Sequence, residues 1–415
     1  MPLISAQSAN RTPIGGDSGR APATGAEIGL LLTGLGVAIG YAAALTIMFL
    51  GHDWLLDRKG QPIPTDFVAI WSAGRLALGG AALAAYDGAR QHAAEVVAIG
   101  HDFPGFYGWP YPPAFFFVAQ TLARLPYAWA FILGIGASFT LHGLSLVAVT
   151  RRLAAVAVAC AAPWALACAM VGQNGFLTAG LIALVLLTLD ERPAVSGILL
   201  GLLTYKPHFG LLFPLALAVS GRWRVFVWAA ASALGLAALS TAIYGADVFA
   251  AFLRGLPMTT QTLVSNGAVG WNKLESIYGL ARALGATNTV GWAAQGLTSF
   301  AVAAGVVLIW RGRAPLALKS ASLAVAAVLA TPYVFAYDLP VLSVAVAFLY
   351  RHRGFDRVEA LLLAVAALTF VPLAFVSIPT GLFASLAIAA AVGRRLAAVK
   401  PSETAMTGAA SAIAV

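Results

Sequence analysis

Apolar runs long enough to cross, or nearly cross, a bilayer recur along almost the whole of this 415-residue chain, and no other feature limits its fold so severely. A membrane helix needs about 20 apolar residues. Runs of this kind fall near 27–50, 126–149, 153–171, 175–190, 193–205, 208–220, 225–244, 289–310, 314–331, 338–350, 358–375 and 378–393. Hydrophobic residues make up 60% of the chain and charged residues only 10%, where a soluble domain carries roughly 25% charged residues. A soluble body could not bury so much apolar surface. The expected fold is therefore an all-α polytopic membrane protein with about twelve crossings, because helices satisfy their own backbone in lipid.

Charge sets the orientation. Sixteen of the 25 Lys and Arg residues lie in short clusters at one set of ends, from Arg11 and Arg20 through Arg151, Arg152, Arg222 and Arg224 to Arg394, Arg395 and Lys400. Arg58, Lys59, Arg75, Arg90, Arg124, Lys206, Arg254, Lys273 and Arg282 are spread over longer segments on the other side. The first set reads as cytoplasmic, and the net charge of +9 is that of membrane anchors, not of a nucleic-acid surface. Residues 1–26, polar and rich in Gly, Pro and Ser, read as a disordered cytoplasmic tail. Residues 27–395 read as one membrane body with external loops at about 51–125 and 245–288, and 396–415 as a second cytoplasmic tail.

The central runs 175–190, 193–205 and 208–220 are short. A 13-residue helix rises only about 20 Å, less than the roughly 30 Å hydrocarbon core. Short spans of this kind border a protein-lined cavity, here opening outward near Gln173, Asn174 and Lys206.

The distinctive polar residues gather on that outer side. Asp66, in P-T-D-F, reads either as part of a helix cap with Thr65 or as a general base able to take a proton from a sugar hydroxyl. Lys206, in T-Y-K-P-H with His208, is either a snorkelling lysine or a buried cation suited to a lipid phosphate. Gly172–Gly175, G-Q-N-G, is a tight turn or a pair of amides, Gln173 and Asn174, for sugar hydroxyls. In G-W-N-K-L-E-S, Trp271 suits ring stacking or the interface, while Asn272, Lys273 and Glu275 suit a solvated face or a binding edge. Asp338, in T-P-Y-V-F-A-Y-D-L-P after Tyr337, favours a helix dipole or faces the cavity. Tyr111, His101 and Asp102 complete the external set; His142, Cys160 and Cys168 lie within apolar runs and read as packing. No spacing of His, Cys, Asp or Glu suggests a metal site, and no phosphate loop or nucleophile–His–acid pattern is present.

Taken in order, these motifs are T-D-F-x-x-x-W-x-A-G-R, Y-P-P, G-Q-N-G, K-P, N-x-L-E-S and T-P-Y-x-F-x-Y-D. Over roughly residues 30–395 this set resembles glycosyltransferase family 87, the polyprenol-phosphate-mannose-dependent transferases of GT-C architecture. The resemblance implies a GT-C-like helical bundle with a long first external loop containing helices. It implies a polyprenyl-phosphate-linked sugar donor, a glycolipid or glycan acceptor among membrane lipids, and inverting transfer with no cofactor, metal or nucleotide sugar. The active site is then on the periplasmic or external face of a bacterial inner membrane. The family's loop-one acid corresponds to Asp66, and the K-P lysine to Lys206. Some members carry a W-x-H-H segment late in the chain; Phe335, Ala336, Tyr337 and Asp338 stand there in this one. A transporter or lipid flippase for envelope precursors is the competing reading, and a non-catalytic assembly subunit a third.

Overall fold

The computed structural model describes residues 25–368 and 376–399. Most of the expected N-terminal tail, the end of the expected 358–375 span and nearly all of the expected C-terminal tail lie outside the described residues. Among the described residues the protein is all helical, with no strand beyond two isolated bridges.

The chain begins with α1 (Gly25–Leu50). Loop one then folds into α2 (Thr65–Leu78), α3 (Gly88–Ile99) and α4 (Phe116–Ala123). A long α5 (Tyr127–Thr150) follows. The run expected as one span at 153–171 is two helices, α6 (Ala155–Ala161) and α7 (Pro163–Val171). Pro163 offers no N–H and starts a new helix after the extended Ala162, so the apolar run does not continue as one rod.

The centre is short-helical: α8 (Gly175–Thr188), α9 (Pro193–Leu202), α10 (Pro207–Gly210) and α11 (Phe213–Val219). After α12 (Trp223–Tyr244), loop two carries α13 (Ala246–Thr259) and α14 (Ile277–Ala283). The chain finishes with α15 (Asn288–Arg311), α16 (Leu316–Leu329), α17 (Pro340–His352), α18 (Arg357–Leu368) and α19 (Thr380–Ala397).

Among the described residues five helices are long and apolar enough to cross a membrane: α1, within Leu31–Leu50, α5, α12, α15 and α19. α1, α12 and α15 turn Leu32, Ile47, Leu234, Leu297 and Phe300 outward. Exposed apolar surface on that scale needs a lipid environment. The core is built instead from α8, α16 and α17, buried nearly all round as helices apolar on every side must be. α9 lies against α12 through Gly197 and Gly201, where a methyl group would come within 2.4 Å of Trp228 and Ser232; small residues four apart let two helix backbones close on each other.

At the end carrying the basic clusters, Arg395 and Glu359 form a buried pair 2.7 Å apart. The guanidinium also donates to the carbonyls of Leu349, Arg353 and Gly354, tying α17, α18 and α19 together.

Candidate active site

Two glycines bring three distant segments to one point. Gly172 ends α7 in the left-handed conformation, φ 71°, and a methyl group on it would lie 2.4 Å from Phe67 of α2. Gly175 opens α8, and a methyl group there would lie 1.8 Å from the carbonyl oxygen of Tyr337. Only glycine at these positions lets α2 and the 331–338 turn approach the Gln173–Asn174 dipeptide between them.

Asp66 sits in the first turn of α2, half-buried. Neither it nor Thr65 caps the helix: Pro64 occupies the N-cap position and no side chain closes it. The Asp66 carboxylate instead accepts a hydrogen bond from Gln173 Nε2, 3.2 Å away. Gln173 Oε1 accepts from the Tyr111 hydroxyl at 2.6 Å and from the Asn174 backbone N–H at 2.9 Å. Asn174 Nδ2 donates to the same hydroxyl at 3.0 Å. Asn174 Oδ1 is buried without a partner.

Lys206, 6% exposed, is no snorkelling lysine. Its Nζ donates to Asp338 Oδ1 at 2.6 Å and lies 5.4 Å from the centre of the Tyr337 ring. Asp338, 1% exposed, also accepts the Phe335 backbone N–H, closing the turn that holds it. The Asp66 and Asp338 charges both act on Tyr337, whose ring also lies beside Lys206, so it stands between the two clusters.

Burial pushes the Asp66 carboxyl up from 3.8 to about 6; the Asp338 charge adds to this, while the Gln173 hydrogen bond and the Lys206 and Lys273 charges oppose it. A carboxylate with that value is ionised at neutral pH and remains basic enough to accept a proton. Burial and the nearby Asp66 charge hold the Tyr111 hydroxyl in its protonated form.

The remaining expected residues stand around this centre. Glu275 is buried, its Oε2 accepting the Gly381 N–H at the start of α19. Its backbone N–H bonds Val334 O at 2.7 Å beside a bridge between Leu274 and Phe335, so loop two is fastened to the Asp338 turn. Trp271 donates to Val264 O and lies under the Arg282 guanidinium, 4.3 Å from its ring centre. No contact joins Trp271 or Asn272 to Asp66 among the described residues. His208 packs on Phe209 and Tyr333, its buried Nε2 unpartnered. His101 and Asp102 belong to a separate cluster with His92 and Glu95.

The residue types alone did not single out the support beneath the site. Tyr205 stacks on Phe115, 4.7 Å between ring centres, and hydrogen-bonds Thr178, fixing the residue before Lys206. Tyr86 donates to the Tyr111 carbonyl. The aromatic density around W-P-Y-P-P was the available signal. Among the described residues no cluster of three or more His, Cys, Asp or Glu could hold a metal ion.

No curated protein and no solved structure matches the chain. A family model, that of glycosyltransferase family 87, matches residues 109–332, just over half the chain, including Tyr111, Gln173, Asn174, Lys206 and Glu275. The match begins after Asp66 and ends before Asp338. With apolar helices long enough to span a bilayer and this match over most of the helical body, the chain belongs to glycosyltransferase family 87 and is a membrane glycosyltransferase.

Proposed function

We propose that the protein transfers a hexose, mannose in the first instance, from a polyprenyl-phosphate donor to a glycolipid or glycan acceptor. The reaction takes place on the non-cytoplasmic face of a bacterial inner membrane. The body, residues 27–395, is then a GT-C-like bundle crossing about twelve times. The observation that carries the proposal is a half-buried carboxylate, Asp66, hydrogen-bonded into the Gln173–Tyr111–Asn174 network, with the buried Lys206–Asp338 pair near enough for both of its charges to act on it.

In this reading Asp66 is the general base. The acceptor hydroxyl gives its proton to the carboxylate as its oxygen bonds to the anomeric carbon. The bond from that carbon to the phosphate oxygen breaks on the opposite face, and its electron pair leaves with the phosphate, so configuration inverts. Lys206 has two N–H bonds beyond the one given to Asp338, and these suit the departing phosphate. Asn174 Oδ1 and the Tyr337 hydroxyl suit the hydroxyls of the sugar, and His208 stands near the phosphate side. Trp271, Asn272 and Glu275 serve by shaping loop two beside the Asp338 turn.

The test is transfer of radiolabelled mannose from polyprenyl-phosphate-mannose to membrane glycolipid extract by purified protein in liposomes. Wild type is expected to transfer and Asp66→Asn to lose at least about 100-fold with unchanged thermal unfolding. Transfer by Asp66→Asn at the wild-type rate sinks the base assignment. Uptake of donor into sealed vesicles with no covalent product would favour the flippase instead.

A further inference from the structure

The sequence offered Gln173 as a sugar-binding amide, yet its oxygen is fully engaged within the protein and its NH₂ group is given to Asp66. The Asn174 backbone N–H can only donate, so the atom facing it must be the amide oxygen. That oxygen also accepts the Tyr111 hydroxyl, filling both lone pairs. The NH₂ group is thereby turned toward Asp66, and the side chain is only 5% exposed. The orientation follows from which groups can donate, and it leaves no acceptor for a ligand.

We infer that Gln173 is a positioning residue that holds Asp66 Oδ2 and directs the transferred proton to Oδ1, with Tyr111 and Asn174 locking its amide. An NH₂ group cannot accept a hydrogen bond, so a proton on Oδ2 would face a donor. Oδ1 accepts nothing from the described residues and is the oxygen left for the acceptor hydroxyl. Gln173, Tyr111 and Asn174 thus form a brace that fixes the carboxylate plane and chooses its reactive edge. The inference rests on Asp66 being the base.

The measurement is an infrared titration of the Asp66 carboxyl, its band assigned by its absence in Asp66→Asn, in wild type and Gln173→Met. Besides Gln173, the groups acting on Asp66 are Lys206, Asp338 and Lys273, with Tyr107, Tyr111 and Tyr337 facing it; all remain in the variant. Losing a donor to the ionised form moves the midpoint upward, by about one pH unit. The transfer rate is expected to show the same upward movement of its acid limb. Expected too are a loss of about tenfold in kcat and little change in KM, since misplacing a reacting group acts on kcat. If Gln173→Met does not fold, Tyr111→Phe, which frees the amide while keeping it, reads the same shift in smaller measure.

An unmoved midpoint overturns the inference, as does a raised KM with unchanged kcat, which would mark Gln173 as a sugar contact. A moved midpoint in a variant that transfers at the wild-type rate at every pH also overturns it. Failure of the underlying reading is separate: it appears as Asp66→Asn retaining transfer, whatever the titration shows.

Discussion

Removing either partner of the Lys206–Asp338 pair should be far more damaging than removing both. The charges are 2.6 Å apart on side chains 7% and 2% exposed. At an effective dielectric of about 20 their attraction is about 6 kcal/mol, set against a desolvation cost of several kcal/mol for each ion. The pair therefore adds little net stability, but either ion left alone keeps its desolvation cost without compensation. Lys206→Met and Asp338→Leu are each expected to cost about 3–5 kcal/mol. The aspartate variant should sit at the upper end, because the Phe335 N–H also loses its acceptor. The double variant should cost about 2 kcal/mol or less, a coupling of at least about 4 kcal/mol. Equilibrium unfolding in mixed micelles, followed by ellipticity, gives all four corners of the cycle. Single variants costing under about 1 kcal/mol, or a double variant equal to the sum of the singles, would refute the argument. The refolded double variant should still transfer no sugar, since it has no cation for the phosphate.

Three further outcomes follow from the geometry. Gly175→Ala places a methyl group against the Tyr337 carbonyl and should cost about 3 kcal/mol, read as a lowered unfolding midpoint together with lost transfer. Burial raises the Glu275 carboxyl from 4.5 to about 8, against the N–H groups of Gly381 and Leu382. The fold thus favours its protonated form, and the stability this gives is full below about pH 4.5 and lost as pH rises through about 8; Glu275→Gln should flatten that decline, measured as Tm against pH, by about 2 kcal/mol or more. Arg395→Met should cost about 3 kcal/mol by removing the fully buried partner of Glu359, which keeps only the half-exposed Arg353, while kcat of the folded protein stays at the wild-type value.

The long apolar helices were legible because hydropathy is local; α13 and α14 in loop two, and the division of the 208–220 run into α10 and α11, were not. The break at Pro163 was visible as a letter but hidden by the apolar residues around it. Helix formation depends on a backbone N–H that hydropathy does not count. The site was legible in its parts and not in its joints. Asp66 stood out as an acid after the first span, but its place in the first helical turn suggested a cap. Its hydrogen-bond partner is instead Gln173, 107 residues on. Lys206 and Asp338 were noticed separately; they are 132 residues apart, and no local pattern says that one neutralises the other. Nor does a sequence tell whether an amide's lone pairs are taken, as those of Gln173 are.

Loop two is joined to the Asp338 turn through main-chain atoms, at the Leu274–Phe335 bridge and from Glu275 N–H to Val334 O. Such a seam does not depend on which side chains flank it. The outer part of loop two can therefore change its side chains without unfastening the turn that holds Asp338. A proline at position 275 is another matter: it removes the N–H that meets Val334 and parts the loop from that turn.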